Sequence, residues 1–445
     1  MSISQLRQSA RQIWEAALDA ANPGTCINNA IQLNGDSLSV AGAQVPLKGR
    51  LIVIGAGKPS AGMARVIEQI LGDRITDGLV VTKYGHSLPL ERIRLVEAGH
   101  PIPDGAGVRA ARETRELVAG LSADDVVLCL ISGGGSALWP APAEGVTLEE
   151  KQEVTSLLQR AGATIRELNT VRKHLSAMKG GQLAKWAAPA RVISLIISDV
   201  IGDPLDFIAS GPTSPDTTTF SDALSIIQKY GISVPDAVID RFEDGSRGLV
   251  QETPKPGDRV FRNVSNVIIA NNRLLIDASA RKARELGFNT LILGTEVEGE
   301  AKDVGRMFVA IAREIGRSGN PVIPPACVLA AGETTVTVRG HGVGGRNQEM
   351  ALAWAIAMAA RPQHNPVCFA SVATDGSDGP TTAAGGLVDP YTCSRAIEMG
   401  LMPLKYLRSN DSSNFLKRTS DLIVTGPTQT NLMDLQILLV GALGV

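Results

Sequence analysis

Ile52-Val-Ile-Gly-Ala-Gly-Lys-Pro-Ser-Ala-Gly62 is an apolar run, a glycine-rich turn and the start of a helix. That order is the opening of a strand-to-helix unit in a parallel sheet. The turn fits neither familiar nucleotide template. In a dinucleotide fingerprint the third glycine falls at Ser60, whereas here it falls at Gly62, and a Walker A loop sets its lysine after a later glycine than Gly57. Pro59 suits a helix start. Lys58 therefore needs a reason of its own.

Outward from this stretch, β-rich runs at 51–54, 78–82, 126–131 and 191–198 alternate with helical patterns. Such alternation predicts a parallel sheet covered on both faces. Thr147-Leu-Glu-Glu150 is a capping box, Gly162 interrupts the helix it starts, and a second helical pattern over 164–178 stops at Gly180-Gly181. Between 243 and 263, Asp-Gly-Ser-Arg-Gly and Glu-Thr-Pro-Lys-Pro-Gly-Asp break all periodicity. A second set follows, with strands at 266–270, 290–294, 326–330, 334–339, 367–372 and 422–424 and helices from Arg273, Glu300, Asn347 and Tyr391. Strict alternation over 334–339, close behind another strand, predicts antiparallel pairs in the second sheet. The division expected is 1–245, a linker over 246–262, and 263–445.

With 445 residues and 44% apolar side chains, two domains are the default. A formal charge of -2 gives no bulk electrostatic pull toward nucleic acid or an anionic membrane. The first 14 residues alternate apolar and charged positions at helical spacing, which predicts a surface helix rather than a signal peptide. The apolar runs 350–360 and 435–445 are shorter than the roughly 20 residues that cross a bilayer. Five scattered cysteines without a paired Cys-x-x-Cys predict reduced thiols in a cytoplasm. Small-molecule chemistry is the class that remains.

Ligand loops in parallel sheets follow the carboxyl ends of strands. The first strand runs into Gly55-Ala-Gly-Lys58, and the third into Ser132-Gly-Gly-Gly-Ser136, where Gly133, Gly134 and Gly135 strip the backbone so that its N–H groups are open to a phosphate. The fourth runs into Asp199-Val-Ile-Gly-Asp203 and then Ser210-Gly-Pro-Thr213. Each loop also has a plain structural reading: glycines for a tight turn, a solvated lysine, aspartates that cap. Three such loops at one sheet edge point to phosphate. The second half adds Gly332-Glu-Thr-Thr335, His341-Gly-Val-Gly-Gly-Arg-Asn-Gln-Glu349 and Ala373-Thr-Asp-Gly-Ser-Asp-Gly379. Arg346 at a helix start is mismatched to the positive end of the dipole unless an anion sits there. Asp375 and Asp378 suit either a cation or an Asx-turn. The five histidines lack zinc spacing, and the basic stretch Asn169-Thr-Val-Arg-Lys-His174, with Lys179 beyond, reads as a solvated helix face or a phosphate contact.

Together with His100-Pro-Ile-Pro-Asp104, these motifs in this order resemble the glycerate 2-kinase family over nearly the whole chain. This is the class II glycerate kinase group with a C-terminal MOFRL domain, some of whose members bear the older label of hydroxypyruvate reductase. The resemblance implies a Rossmann-like N-terminal domain with a parallel sheet, a smaller α/β C-terminal domain with a mixed sheet, and an active site in the cleft between them. It implies ATP-dependent phosphorylation of D-glycerate to 2-phospho-D-glycerate with Mg²⁺ or another divalent cation, and it assigns the catalytic pair to Lys58 and Arg346.

On this reading phosphates rest on the loop from Ser132 to Ser136, and Asp199 and Asp203 hold the cation, with Asp375 and Glu333 next in line. The partners expected are small molecules only, with no nucleic acid and no membrane, and the sequence leaves the oligomeric state open. The rival is an NAD(P)H-dependent hydroxypyruvate reductase of tartrate degradation. It is disfavoured by the displaced glycine and by Thr82-Lys83, which offers no acid to a ribose, although Lys83 suits a 2′-phosphate, so NAD is disfavoured more firmly than NADP. A non-catalytic sugar-acid binding protein is the remaining alternative.

Overall fold

Every residue of the strands Leu51–Ala56 and Val126–Ile131 is buried in the computed structural model, which describes residues 1–442. The last three positions of the predicted C-terminal domain and of the apolar run 435–445 lie outside the described residues. Contacts gather the chain into two units, Pro23–Ile269 and Met1–Asn22 with Ala270–Val445.

In the unit Pro23–Ile269, a six-stranded sheet runs in the order Arg94–Ala98, Asp77–Lys83, Leu51–Ala56, Val126–Ile131, Arg191–Ile197, Val264–Ala270. The four pairings among the first five strands are parallel, which is why strands buried on both faces read as continuous apolar runs. Chain order reverses between Leu51–Ala56 and Val126–Ile131, so the loops after these two strands flank the topological switch point. Val264–Ala270, read from the sequence as the first strand of the second set, is the edge strand here. Asn266 anchors it, accepting from the Thr213 hydroxyl at 2.8 Å and donating to the Thr213 carbonyl at 3.1 Å. Four helices, Leu148–Arg160, Ile165–His174, Phe220–Tyr230 and Asp236–Ser246, share a separate core around Phe220 and Phe242. Capping boxes at Thr147 with Glu150 and at Thr164 with Glu167 start the first two, and the second ends at His174 rather than at 178. Three short strands over 31–46 form an antiparallel meander.

The other unit has a six-stranded mixed sheet in the order Asn289–Val297, Ala326–Gly332, Asp434–Val440, Val367–Ala373, Gly385–Val388, Leu422–Ile423. Only the first pair is parallel. The antiparallel neighbour of Ala326–Gly332 is Asp434–Val440, not the predicted strand at 334–339. That segment makes a single bridge, Thr335 to Glu300, and side chains satisfy its backbone instead. The Glu300 carboxylate accepts from the Thr337 N–H, and Asn410 Oδ1 accepts from those of Arg339 and Gly340. The helix Arg346–Ala360 is buried nearly all round, and Trp354 stacks on Phe369 with centroids 5.7 Å apart.

The predicted N-terminal helix runs over Ile3–Ala20 and buries Leu6, Ala10, Ile13, Trp14 and Ala17 in the second unit. Its register is fixed by Arg7, whose guanidinium reaches Asp389 at 2.7 Å and Asp421 at 2.9 Å, both carboxylates buried. Arg395 alone would then face two buried acids, so Arg7→Met should lower stability by about 1–3 kcal/mol. A urea titration checks this; an unchanged midpoint would mean that the pairing contributes nothing.

Candidate active site

The turn after Leu51–Ala56 and the loop after Val126–Ile131 are in backbone contact. Lys58 donates its N–H to the Gly133 carbonyl at 2.9 Å, and Ser132 donates to the Ala56 carbonyl at 3.2 Å. Such closeness excludes a side chain: at Gly57, with φ at +153°, a Cβ would lie 1.8 Å from Ser132 Oγ. Gly134 has φ of +87°, and a Cβ there would lie 3.0 Å from His100 and 3.4 Å from the Lys58 side chain. Gly134 thus leaves a floor beside which Lys58 and His100 both stand. Burial, then the charges of Lys58, Lys83 and His86, hold the His100 imidazole down to about 4. It is neutral at pH 7 in an electropositive corner. Asp104, at the end of the same motif, caps the helix Gly105–Val118 by accepting from Gly107 N–H at 3.0 Å.

The third and fourth loops meet through hydroxyls. Ser136 and Ser210 are hydrogen-bonded at 3.0 Å, and Ser210 donates to Asn169 Oδ1 at 3.1 Å. Ala209 and Ser210 have φ of +50° and +60°. Left-handed non-glycine residues of this kind cost of order 1–3 kcal/mol each and concentrate at functional sites. The basic stretch at 169–174 is not the solvated face that its composition suggests. Lys173 is buried between Asp206 at 3.1 Å and Asp216 at 3.2 Å, and His174 meets Glu252 at 3.3 Å. Arg172 and Lys179 turn instead toward a cavity of about 660 Å³ that Gly134 and Ser136 also line.

Asp199 and Asp203 lie in the loop after Arg191–Ile197, in a turn closed by the Asp203 N–H on the Val200 carbonyl at 3.1 Å. Among the described residues, no three His, Cys, Asp or Glu side chains gather as a metal cage. Two hard carboxylates in one loop fit Mg²⁺, which keeps most of its waters and needs only one or two such ligands.

In the other unit, Arg346 is the first residue of its helix and finds its anions in the chain itself. Its Nε and Nη2 donate to Asp434 Oδ2 and Oδ1 at 2.5 and 3.0 Å, and Nη1 donates to Glu333 at 2.7 Å. Burial opposes the guanidinium charge, but Asp434 and then Glu333 more than offset it and push the group further up. Asp434 is fully buried at the start of the central strand, where burial pushes its carboxyl up against the pull of Arg346. Asp378 accepts from the N–H groups of Asn347 at 3.1 Å and Gln348 at 2.8 Å, and so caps the same helix. Asp375 closes an Asx-turn onto Ser377 at 3.0 Å.

Of the residues singled out from sequence, Lys58 and the loop from Ser132 to Ser136 are brought together in one unit, with Asp199 and Asp203 in a third loop after that unit's sheet. Arg346 sits in the other unit with Glu333. Sequence reasoning missed His100 as a neighbour of Lys58, Lys151 and Arg172 as cavity residues, and Asp434 as the partner of Arg346. A lone acid at the head of the apolar run Leu435–Val440 was the one signal for Asp434.

The family described as Domain of unknown function (DUF4147) matches residues 9–243, and the MOFRL family matches residues 326–434. D-glycerate 2-kinase of Thermotoga maritima is 43% identical over 97% of this chain and 98% of its own length. Glycerate 2-kinase of Pyrococcus horikoshii is 43% identical over 99% and 98% respectively. An Agrobacterium vitis protein, 41% identical over 98% of this chain and 94% of its own, carries the provisional name of hydroxypyruvate reductase. A crystal structure of glycerate kinase from Thermotoga maritima superposes with a TM-score of 0.88 at 41% identity, covering 98% of this chain and 100% of that one.

The low value at His100 has a measurable consequence. A histidine held at about 4 in the fold and near 6.5 when unfolded binds fewer protons folded than unfolded between those values. Its contribution to stability is therefore present above the unfolded value and is lost as pH falls through 6.5 toward 4. Proton NMR should show the His100 ring neutral from pH 8 down to about 5. An inflection near the ordinary histidine value would remove the electropositive corner from the site.

Proposed function

Because the chain belongs to the glycerate 2-kinase family, we propose that it transfers the γ-phosphoryl group of ATP to the carbon-2 hydroxyl of D-glycerate, giving 2-phospho-D-glycerate and ADP. The bond that forms is from the glycerate oxygen to phosphorus, the bond that breaks is from phosphorus to the ADP oxygen, and the hydroxyl proton is released to water. Carrying this reading is the junction of Lys58 with the Ser132 to Ser136 loop at the switch point of a parallel sheet, where ligands of such sheets bind. Phosphoryl transfer leaves the protein little covalent work; it must position reactants and neutralise charge spread over the equatorial oxygens. Lys58 and Arg346 supply that charge, and the glycine loop offers backbone donors. Arg346 keeps its bidentate contact with the buried Asp434 while exposed Glu333 yields Nη1 to a phosphate oxygen. Asp434 is thus a positioning residue, and it fixes the plane of the guanidinium. Mg²⁺, when bound, neutralises phosphate oxygens, and Asp199 and Asp203 would hold it.

Five buried, unbridged thiols support a reducing, cytoplasmic setting. Among the described residues no helix is long and apolar enough to cross a membrane.

Replacing one electrostatic donor to a transition state lowers turnover by roughly two to three orders of magnitude. Lys58→Met and Arg346→Met should each show such a fall in kcat; Arg346→Met also strands the buried Asp434 carboxylate and should lower the melting temperature, so kcat is compared on the folded fraction. If both charges serve one transition state, the double variant should be little worse than the worse single one. Steady-state release of ADP with D-glycerate is the measurement, with NADPH oxidation by hydroxypyruvate as the counter-assay. Near-normal kcat in either folded variant would defeat the pairing.

The cation assignment is tested separately. Asp199→Asn should raise the Mg²⁺ concentration needed for half-maximal rate by about tenfold or more, the effect of taking one charged ligand from the ion. A titration identical to wild type would move the metal to other carboxylates.

A further inference from the structure

The cavity bordered by Gly134 and Ser136 gathers three cations from three segments of the chain. Lys151 comes from the helix Leu148–Arg160, Arg172 from Ile165–His174, and Lys179 from the turn beyond it. Lys151 and Lys179 are 5% and 2% exposed. Lys151 Nζ donates to the Leu175 carbonyl at 3.2 Å and Lys179 Nζ to the Ser136 carbonyl at 2.7 Å. An ammonium has three N–H donors, so each keeps two in hand. Among the described residues no carboxylate forms an ion pair with any of the three. Glu149 and Glu153 line the same cavity without reaching them.

Buried cations without a counter-charge are an expensive arrangement, tolerated where a ligand completes it. Burial, reinforced by Arg172 and Arg241, pushes the Lys151 amine down to about 7. Burial, with Lys151 and Arg172 adding to it, pushes Lys179 well below the ordinary lysine value. The missing partner is anionic and carries several charges. Size narrows it further: about 660 Å³ lies in the range of pockets that enclose a whole cofactor or drug-sized ligand, far more than a three-carbon acid fills. Pro101, Ile102 and Pro103 give one apolar wall, with Ile102 71% exposed, and Gln152 and Ser156 give a polar one. Gly134 on the floor adjoins Lys58.

We propose that this cavity holds the nucleoside triphosphate, its polyphosphate chain on Lys151, Arg172 and Lys179 and its base against the wall of Pro101 to Pro103. The proposal rests on the kinase reading only in taking the polyanion to be a nucleotide. Phosphate oxygens accept the spare ammonium and guanidinium donors, and the chain ends beside Lys58.

Calorimetric titration of the full chain with ATP, with inorganic tripolyphosphate and with D-glycerate tests it. In Arg172→Met and Lys179→Met, Kd for ATP and for tripolyphosphate should rise by about tenfold or more, while Kd for D-glycerate stays within about twofold. An unchanged ATP affinity in the folded variants, or a loss confined to D-glycerate, would overturn the assignment. Replacing a buried cation by a similar apolar side chain is often neutral or stabilising, so these variants should fold. Wild type supplies a second readout. The groups facing the two lysines are Arg172, Arg241, His100, Glu149 and Glu153; burial holds the Lys151 amine at about 7 and the Lys179 amine well below the ordinary lysine value. ATP binding at about pH 8 should therefore take up protons, seen as a dependence of the binding heat on buffer ionisation enthalpy. No uptake would contradict the proposal. Wild type that binds ATP in this way but does not phosphorylate D-glycerate would spare the cavity and sink the glycerate reading. Turnover of D-glycerate with variants that bind ATP normally would do the reverse.

Discussion

Backbone meeting backbone at the ends of two adjacent parallel strands is the constraint on which the Pro23–Ile269 unit depends. Lys58 N–H on the Gly133 carbonyl and Ser132 N–H on the Ala56 carbonyl leave no room for side chains at Gly57, and they aim the lysine over the floor that Gly134 keeps open. The sheet's reversal of order puts this contact where two crossovers diverge, so a crevice forms without any residue being removed from the core. The displaced third glycine of the opening stretch follows from this. The turn packs against a neighbouring glycine loop, and Lys58 provides charge where a dinucleotide fold would use a third close backbone approach.

Positive charge is handled in opposite ways in the two units. Arg346 has its anions built in: buried Asp434 grips one edge of the guanidinium, Glu333 the other, and Asp378 caps the helix beneath. The group is stiff and aimed, with only an exposed carboxylate to displace. Around the cavity of Lys151, Arg172 and Lys179 no carboxylate among the described residues is paired with the cations, and burial pulls Lys151, Lys179 and the neighbouring His100 toward neutrality. One unit fixes a guanidinium between carboxylates; the other gathers three cations without such a pairing. Low local dielectric makes both arrangements stronger than they would be in water.

Much of this was legible in the sequence, for reasons that can be named. Continuous apolar runs such as Val126–Ile131 exist because both faces of a parallel strand are covered, and capping boxes such as Thr147 with Glu150 mark helix starts through local bonds alone. What depends on distant partners was not legible. Residues 334–339 alternate like a strand, but Glu300 and Asn410 side chains take their N–H groups, and Asp434–Val440 occupies the sheet position instead. An apolar run of that length does not declare whether it is helix or strand. The same limit applies to Arg172, Lys173 and His174, three consecutive basic residues with three different fates. Only the packing of Asp206, Asp216 and Glu252 shows which two are paired and which one is left for the cavity.

The chain path through the two units bears on how the molecule is made. Pro23–Ile269 is continuous, whereas the other unit is interrupted by it and needs Ile3–Ala20 together with strands beyond Ala270. During synthesis at roughly 5–20 residues per second, the amphipathic first helix waits tens of seconds for the sheet that will cover Leu6, Ile13 and Trp14. Throughout that interval its apolar face is an attractive client for holding chaperones and a hazard for association between nascent chains. The salt link from Arg7 to two buried aspartates forms only when both ends of the interruption have been read out, and so it marks completion of the fold rather than its nucleation.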